Sequence, residues 1–198
     1  MNRALLVIDV QESFRARPLW RLSSNPGIAG PVGTLVEHAR AEDAPVFWVL
    51  HTEPGSGTVF DPELGHVRPI EGLRPRADEA VLTKTAHNAF TTTNLQQRLT
   101  VLGVREVTIC GIRTEQCCET TARIAADLGY AVTFVTDATA TDPIPHRAAP
   151  AGLSPEELLA HPGTLHTGEI IARTEYALAG RFATIRTVAE LTGAGQAW

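Results

Sequence analysis

The sequence predicts a three-layer α/β fold in which a six-stranded parallel sheet is flanked by helices. Short apolar runs of strand length alternate with segments of helical character along the whole chain. The strand-like runs are apolar on both faces, which is typical of a parallel sheet covered on both sides. The chain has 198 residues and no internal repeat or low-complexity linker, so we expect a single domain over residues 1–198.

The predicted strands and helices follow one another in alternation. Six apolar runs are the predicted strands, at residues 3–10, 44–51, 79–85, 105–111, 130–138 and 182–188. Apolar residues at helical spacing, with start and stop residues, predict helices at 30–41, 92–103 and 114–129, and one or two more within 154–161 and 167–180. This alternation predicts a Rossmann-like topology with right-handed crossovers, which places ligands beyond the carboxyl ends of the strands.

Two long connections interrupt the alternation, and both are rich in proline. Residues 52–78 are dense in Gly and Pro and too many for a plain connection, so we expect a functional loop or a lid there. Residues 142–169 are expected to border the site or a neighbouring subunit.

The composition indicates a cytoplasmic protein that acts on a small molecule. A net charge of -5, with no basic cluster, gives no general attraction to nucleic acid or anionic lipid. The longest apolar runs are far shorter than a membrane span, and Met1 leads directly into a strand without a signal peptide. Three cysteines, of which two are adjacent, do not form a disulfide framework, so we expect a reducing compartment.

Polar residues at the ends of three predicted strands are the candidate functional groups. Asp9 ends the first strand, Lys84 ends the third, and Cys117 lies in the first turn of the helix after the fourth. Alone, Asp9 is equally explained as a cap and Lys84 as a solvated side chain. A lysine in a central strand needs a carboxylate partner, however, and Asp9 supplies one if both strands end at the same edge.

The adjacent cysteines have four possible explanations: packing, a redox pair, half of a metal site, or a nucleophile beside an apolar neighbour. Metal binding is the weakest explanation, because adjacent cysteines do not match the Cys-x₂-Cys spacing of metal sites and no other Cys–His cluster completes a site. Successive helical residues point about 100° apart, so Cys117 and Cys118 have different surroundings. We interpret Cys117 as a nucleophile whose pKa the helix N-terminus lowers, and Cys118 and Cys110 as packing residues.

These residues make the chain resemble the isochorismatase-like cysteine hydrolases, which include nicotinamidases and N-carbamoylsarcosine amidases. The resemblance covers nearly the whole length, with blocks at 5–14, 82–95, 109–141 and 172–185. The most specific motif is Gly, aliphatic, any residue, Thr, two residues, Cys, aliphatic, two residues, Thr, Ala. It is matched by Gly111, Ile112, Thr114, Cys117, Thr121 and Ala122, with Cys118 in the second aliphatic position.

The resemblance implies a catalytic triad of Asp9, Lys84 and Cys117. It also implies a non-proline cis peptide between Ile112 and Arg113, with the N–H groups of Arg113 and Cys117 forming an oxyanion hole. The implied activity is hydrolysis of a C–N bond (amide, carbamoyl or lactam) in a small molecule through a thioester. A homo-oligomer, either dimer or tetramer, is implied as well. The alternatives are a catalytically silent member that serves as a binding or assembly subunit, and a thiol redox protein.

The chain departs from the nicotinamidase pattern at the metal site. His51 and Glu53 stand where that pattern has Asp and His, so we expect no metal and no cofactor. A metal held by His51, Glu53 and His66 is the alternative. Aromatic and His side chains near the predicted strand ends are the candidate substrate-binding residues, with packing or a subunit interface as the alternative: Phe14, Trp20, His51, His87 and Phe90.

Overall fold

The computed structural model describes residues 2–193, in which the predicted six-stranded parallel sheet flanked by helices is confirmed. The strands lie in the order β3-β2-β1-β4-β5-β6, and all neighbouring pairs are parallel. The strand that carries Lys84, expected to be central, is therefore an edge strand, β3. Their bounds are Arg3–Ile8 (β1), Val46–His51 (β2), Ala80–Lys84 (β3), Glu106–Ile112 (β4), Ala131–Ala140 (β5) and Thr184–Arg186 (β6). The strand order reverses at β1, so the edge beside β1 and β4 is the expected ligand site.

Helices cover both faces of the sheet. Their bounds are Glu12–Arg15 (α1), Ala29–Ala41 (α2), Leu95–Val101 (α3), Glu119–Asp127 (α4), Pro155–Ala160 (α5), Thr167–Leu178 (α6) and Val188–Thr192 (α7). Helices α3, α4 and α6 contribute to one apolar core, and α2 contributes to the other. Alternate residues of β1 enter opposite cores, with Leu6 in the first and Leu5 in the second, which explains why this strand is apolar throughout.

Short helical turns complete the connections at the carboxyl edge of the sheet. Two are 3₁₀ turns, at Pro18–Leu22 and Pro62–Leu64. The third is a π-helical turn at Thr114–Cys118 that leads directly into α4. The helix predicted over residues 114–129 therefore consists of two parts with different hydrogen-bonding patterns.

No helix within residues 2–193 has the length and apolar character needed to cross a membrane. The expected homo-oligomer remains a prediction. The C-terminal Trp198, which a subunit contact would suit, lies outside the described residues.

Candidate active site

Three separate chain segments bring Asp9, Lys84 and Cys117 into contact at the carboxyl edge of the sheet. Lys84 is the last residue of β3, and Asp9 follows β1 directly. The Nζ of Lys84 lies 2.7 Å from Oδ2 of Asp9 and 3.5 Å from Sγ of Cys117. Asp9 and Lys84 are fully buried, whereas Cys117 keeps 7% of its surface exposed. The cluster therefore contains a desolvated ion pair with a thiol beside it.

The backbone at the end of β1 is shaped to fit this cluster. Asp9 has a φ of 53°, a left-handed conformation that non-glycine residues rarely adopt. Gly111 pairs with Ile8 across the sheet and has a φ of 135°. A Cβ on Gly111 would lie 1.9 Å from the carbonyl oxygen of Ile8, so only glycine lets β4 approach β1 this closely. This close approach brings the segment that carries Cys117 next to Asp9.

Cys117 is held by the π-helical turn and by its connection to α4. The turn is closed by the N–H of Cys118, which donates to the carbonyl oxygen of Arg113 at 3.1 Å. The peptide bond between Ile112 and Arg113 is cis. At the other end, the hydroxyl of Thr121 donates to the carbonyl oxygen of Cys117 at 2.6 Å and accepts from the N–H of Ala89 at 3.1 Å. These bonds fix the sulfur relative to the segment that follows Lys84.

Burial sets the protonation of the cluster. Desolvation raises the pKa of Asp9, and the adjacent Lys84 ammonium opposes that rise. Desolvation, together with the Asp9 charge, raises the pKa of Cys117 to about 12. The prediction that the helix N-terminus lowers this thiol pKa is therefore wrong, because the buried position beside a carboxylate has the larger effect. Cys117 carries its proton at neutral pH, and Asp9 Oδ1 has no hydrogen-bond partner among residues 2–193.

The other two cysteines lie in the hydrophobic cores. Cys118 is fully buried in the same core as α4, and Cys110 is fully buried in the core on the other face of the sheet. Burial raises the pKa of both thiols, and neither keeps any of the exposure that Cys117 has, which agrees with a packing role. Cys110, Cys117 and Cys118 are all free thiols.

His51 contacts Lys84 of the ion pair, and one aromatic ring packs against it. Its Nδ1 lies 3.5 Å from Nζ of Lys84, and its Nε2 lies 3.4 Å from Oε1 of Glu53. The ring of Phe60 packs edge-on against His51 at 5.5 Å and against Phe14 at 5.2 Å. Two of the predicted substrate-binding residues therefore meet beside the cluster, joined by a phenylalanine that the sequence did not single out.

The remaining candidate substrate-binding residues make no hydrogen bond or ring contact with Asp9, Lys84 or Cys117 in the described part of the chain. Trp20 lies in a 3₁₀ turn and is half-buried against the core formed with α2. His87 is exposed. Phe90 is buried and stacks on Tyr130 at 6.1 Å. Their role in substrate binding stays a prediction.

The site holds two groups that sequence inspection missed. Gln11 is fully buried, and its side-chain amide bonds both the N–H and the carbonyl oxygen of His51, which ties β1 to β2. Asp142, just after β5, accepts from Nη2 of Arg113 at 2.8 Å and lies 3.8 Å from Nη1 of Arg17. Asp142 thus orients the side chain of the residue that follows the cis peptide.

The candidate metal ligands are only partly brought together. His51 and Glu53 are adjacent, whereas His66 contributes its carbonyl oxygen to the hydroxyl of Ser13. Within residues 2–193, no three His, Cys, Asp or Glu side chains are grouped so that they could hold a metal ion.

Comparison with known proteins places this geometry in a family. An isochorismatase domain model matches residues 3–155. The chain is 38% identical to nicotinamidase 3 of Arabidopsis thaliana over 70% of this chain and 73% of that protein. It is 34% identical to streptothricin hydrolase of Streptomyces noursei over 75% of this chain and 52% of that protein. The crystal structure of an isochorismatase from Pseudomonas putida KT2440 superposes with a TM-score of 0.82 at 29% identity, covering 96% of this chain and 90% of that one.

Proposed function

This chain belongs to the isochorismatase family, and on that premise we propose that it is a cysteine-dependent hydrolase of a C–N bond in a small molecule. The relatives named nicotinamidase and streptothricin hydrolase support hydrolysis of an amide-type bond. In this proposal Cys117 is the nucleophile, Asp9 the general base, and Lys84 the cation that keeps Asp9 ionised. The C–N bond that is cleaved belongs to an amide, a carbamoyl group or a lactam.

One observation carries the proposal: a fully buried Lys84–Asp9 pair stands beside a thiol that keeps some exposure. Removing two charges from water is expensive, and replacing a buried pair by apolar residues is often neutral or stabilising. Stability alone therefore gives no reason to keep the pair. A base held ionised next to a protonated thiol does have a chemical use, because it can accept the thiol proton during attack.

The proposed reaction proceeds through a thioester. Asp9 takes the Cys117 proton as the sulfur attacks the carbonyl carbon, and the electrons of the C=O bond move to its oxygen. The N–H groups of Arg113 and Cys117 stabilise this oxyanion, by about 3–4 kcal/mol for each donor. When the C–N bond breaks, Asp9 returns the proton to the leaving nitrogen. Asp9 then accepts a proton from water, the hydroxide attacks the thioester, and the thiol is regenerated with release of the acid.

The test is a hydrolysis screen with matched cysteine variants. Amides and ureido acids are followed by ammonia release and lactams by the ring-opened product, using the wild type, Cys117→Ala and Cys118→Ala. The proposal expects Cys117→Ala to abolish turnover with an unchanged circular dichroism spectrum. Cys118→Ala should keep activity within a few-fold, because Cys118 is a packing residue in the core. Turnover retained by Cys117→Ala would falsify the nucleophile assignment.

A further inference from the structure

A cleft formed by residues that follow β1 and β5 is lined by basic side chains. It has a volume of about 590 Å³ and lies between the turn after α1 and the segment after β5. Its basic lining residues are Arg17, His146 and Arg147. The other lining residues within the described range 2–193, among them Leu19 and Leu158, are apolar or small, and none of them is acidic. Such a cleft is unexpected in a protein whose net charge is -5.

The basic side chains in this cleft have unused hydrogen-bond donors. Within residues 2–193, neither Arg17 nor Arg147 donates a side-chain hydrogen bond. Arg17 lies 3.8 Å from Asp142, too far for a hydrogen bond, and the same carboxylate oxygen already accepts from Arg113 at 2.8 Å. The Nδ1 of His146 accepts from the N–H of Ala148 at 3.2 Å, so the ring hydrogen lies on Nε2 and is available for donation.

Arg17 also connects the cleft to the candidate active site on two sides. On one side its guanidinium lies 6.0 Å from the ring of Phe14, which belongs to the aromatic group beside His51. On the other side it approaches Asp142, the partner of Arg113. Arg113 in turn directly precedes the π-helical turn that carries Cys117. Arg17 of the cleft therefore approaches residues beside the candidate active site on both sides.

We propose that this cleft binds an anionic group, a carboxylate or a phosphate, on the same substrate whose amide carbon Cys117 attacks. This proposal rests on the proposed function. Arginine forks match the paired oxygens of carboxylate and phosphate, and they do so best where other partners are lacking. The apolar part of the lining suits a hydrocarbon spacer between the anion and the amide. The substrate class is thus an amide that bears an acid group at some distance from the bond cleaved.

The first test measures binding without catalysis. Cys117→Ala protein is titrated calorimetrically with glutarate, adipate and inorganic phosphate, and the same is done with Arg17→Gln/Arg147→Gln added. The proposal expects saturable binding of at least one anion and at least tenfold weaker binding when both arginines are replaced. Arg15→Gln is the control, because Arg15 pairs with Glu12 at 3.2 Å and does not line the cleft. The absence of saturable binding, or equal binding by the arginine variant, overturns the proposal.

The anion that binds more tightly identifies the acid group. Phosphate above both dicarboxylates points to a phosphate ester, and the reverse order points to a carboxylate. Either order supports the proposed anion site, provided that the arginine replacements weaken the binding of the preferred anion.

The second test compares hydrolysis of charged and neutral amides. Monoamides of glutaric and adipic acid are compared with neutral amides of the same chain length, using the wild type and Arg17→Gln. The expected result is at least a tenfold lower KM for one acidic amide than for its neutral counterpart, a preference that is lost in Arg17→Gln and kept in the Arg15→Gln control. Hydrolysis without a preference for the acid group would contradict the proposed role of the cleft but not the proposed hydrolase activity. If anion binding depends on the arginines but the protein hydrolyses no amide, the proposed hydrolase activity is contradicted and the anion-binding cleft is supported.

Discussion

Replacing Lys84 by methionine removes the ammonium group that compensates the buried Asp9 carboxylate. The Lys84 ammonium is 2.7 Å from the Asp9 carboxylate, and both side chains are fully buried. Methionine has a similar length and fills the space without a charge. The carboxylate left behind has no access to water, so we expect Lys84→Met to lower the free energy of unfolding by about 3–5 kcal/mol at neutral pH.

The pH dependence of this loss follows from the pKa of Asp9. Burial raises that pKa and Lys84 lowers it, so the variant carries a still higher Asp9 pKa in the folded state. An acid whose folded-state pKa exceeds its unfolded value of about 3.9 holds its proton more tightly when folded. The stabilisation that such an acid contributes is fully present below its pKa in the unfolded state. It is lost as the pH rises through its pKa in the folded state. The difference in stability between wild type and Lys84→Met should therefore be smaller at about pH 4.5 than at about pH 7.5.

Urea unfolding followed by circular dichroism measures both effects. Asp9→Asn/Lys84→Met is the matched variant, because it removes both charges from the same space. We expect the double variant to be more stable than the sum of the two single losses by at least about 2 kcal/mol, since the two groups are in contact. A loss below about 1 kcal/mol for Lys84→Met at neutral pH, or strict additivity, would refute the view that this is a desolvated, mutually dependent pair.

Three further predictions concern the backbone, the thiol and metal dependence. Gly111→Ala should cost at least about 4 kcal/mol of stability or prevent folding, because its Cβ would collide with the Ile8 carbonyl oxygen, whereas Gly168→Ala should change stability by less than about 1 kcal/mol because its Cβ meets open space. Equal melting temperatures for these two variants would contradict the close approach of β1 and β4. Asp9→Asn should speed iodoacetamide alkylation of Cys117 several-fold at mildly alkaline pH, because the Asp9 charge raises the thiol pKa, while hydrolysis is lost with the base. Slower alkylation would mean that Asp9 promotes the thiolate in the resting site. Dialysis against a chelator should leave turnover unchanged, and stoichiometric zinc, iron or manganese in purified protein would overturn that expectation.

Much of the fold was predictable because the strands are buried on both faces and leave continuous apolar runs. The bounds were less predictable: β1 was expected to end at Asp9 but ends at Ile8, because Asp9 has a φ of 53° and leaves the strand. Helix α1 has only four residues, too few to show a periodicity. The π-helical turn at Thr114–Cys118 was expected to be ordinary α-helix, because a single π turn has no signature in the pattern of apolar residues.

The meeting of Asp9, Lys84 and Cys117 was predictable because the ends of parallel strands share one edge. The groups around them were not. Phe60 lies in a Gly- and Pro-rich connection without periodicity, and only the folded path of that segment places it against His51. The direction of the Cys117 pKa shift also depends on burial and on the distance to a carboxylate, which a helix start in the sequence does not reveal.

The most direct test of the thiol mechanism is the chemical identity of the intermediate. The best amide from the screen is mixed with the enzyme, quenched with acid within the first turnover, and the protein is analysed by intact-mass and peptide mass spectrometry. We expect an added acyl mass on the peptide containing Cys117, located on that residue and absent from Cys117→Ala. An acyl group on any other residue, or full turnover without a sulfur at position 117, would contradict it.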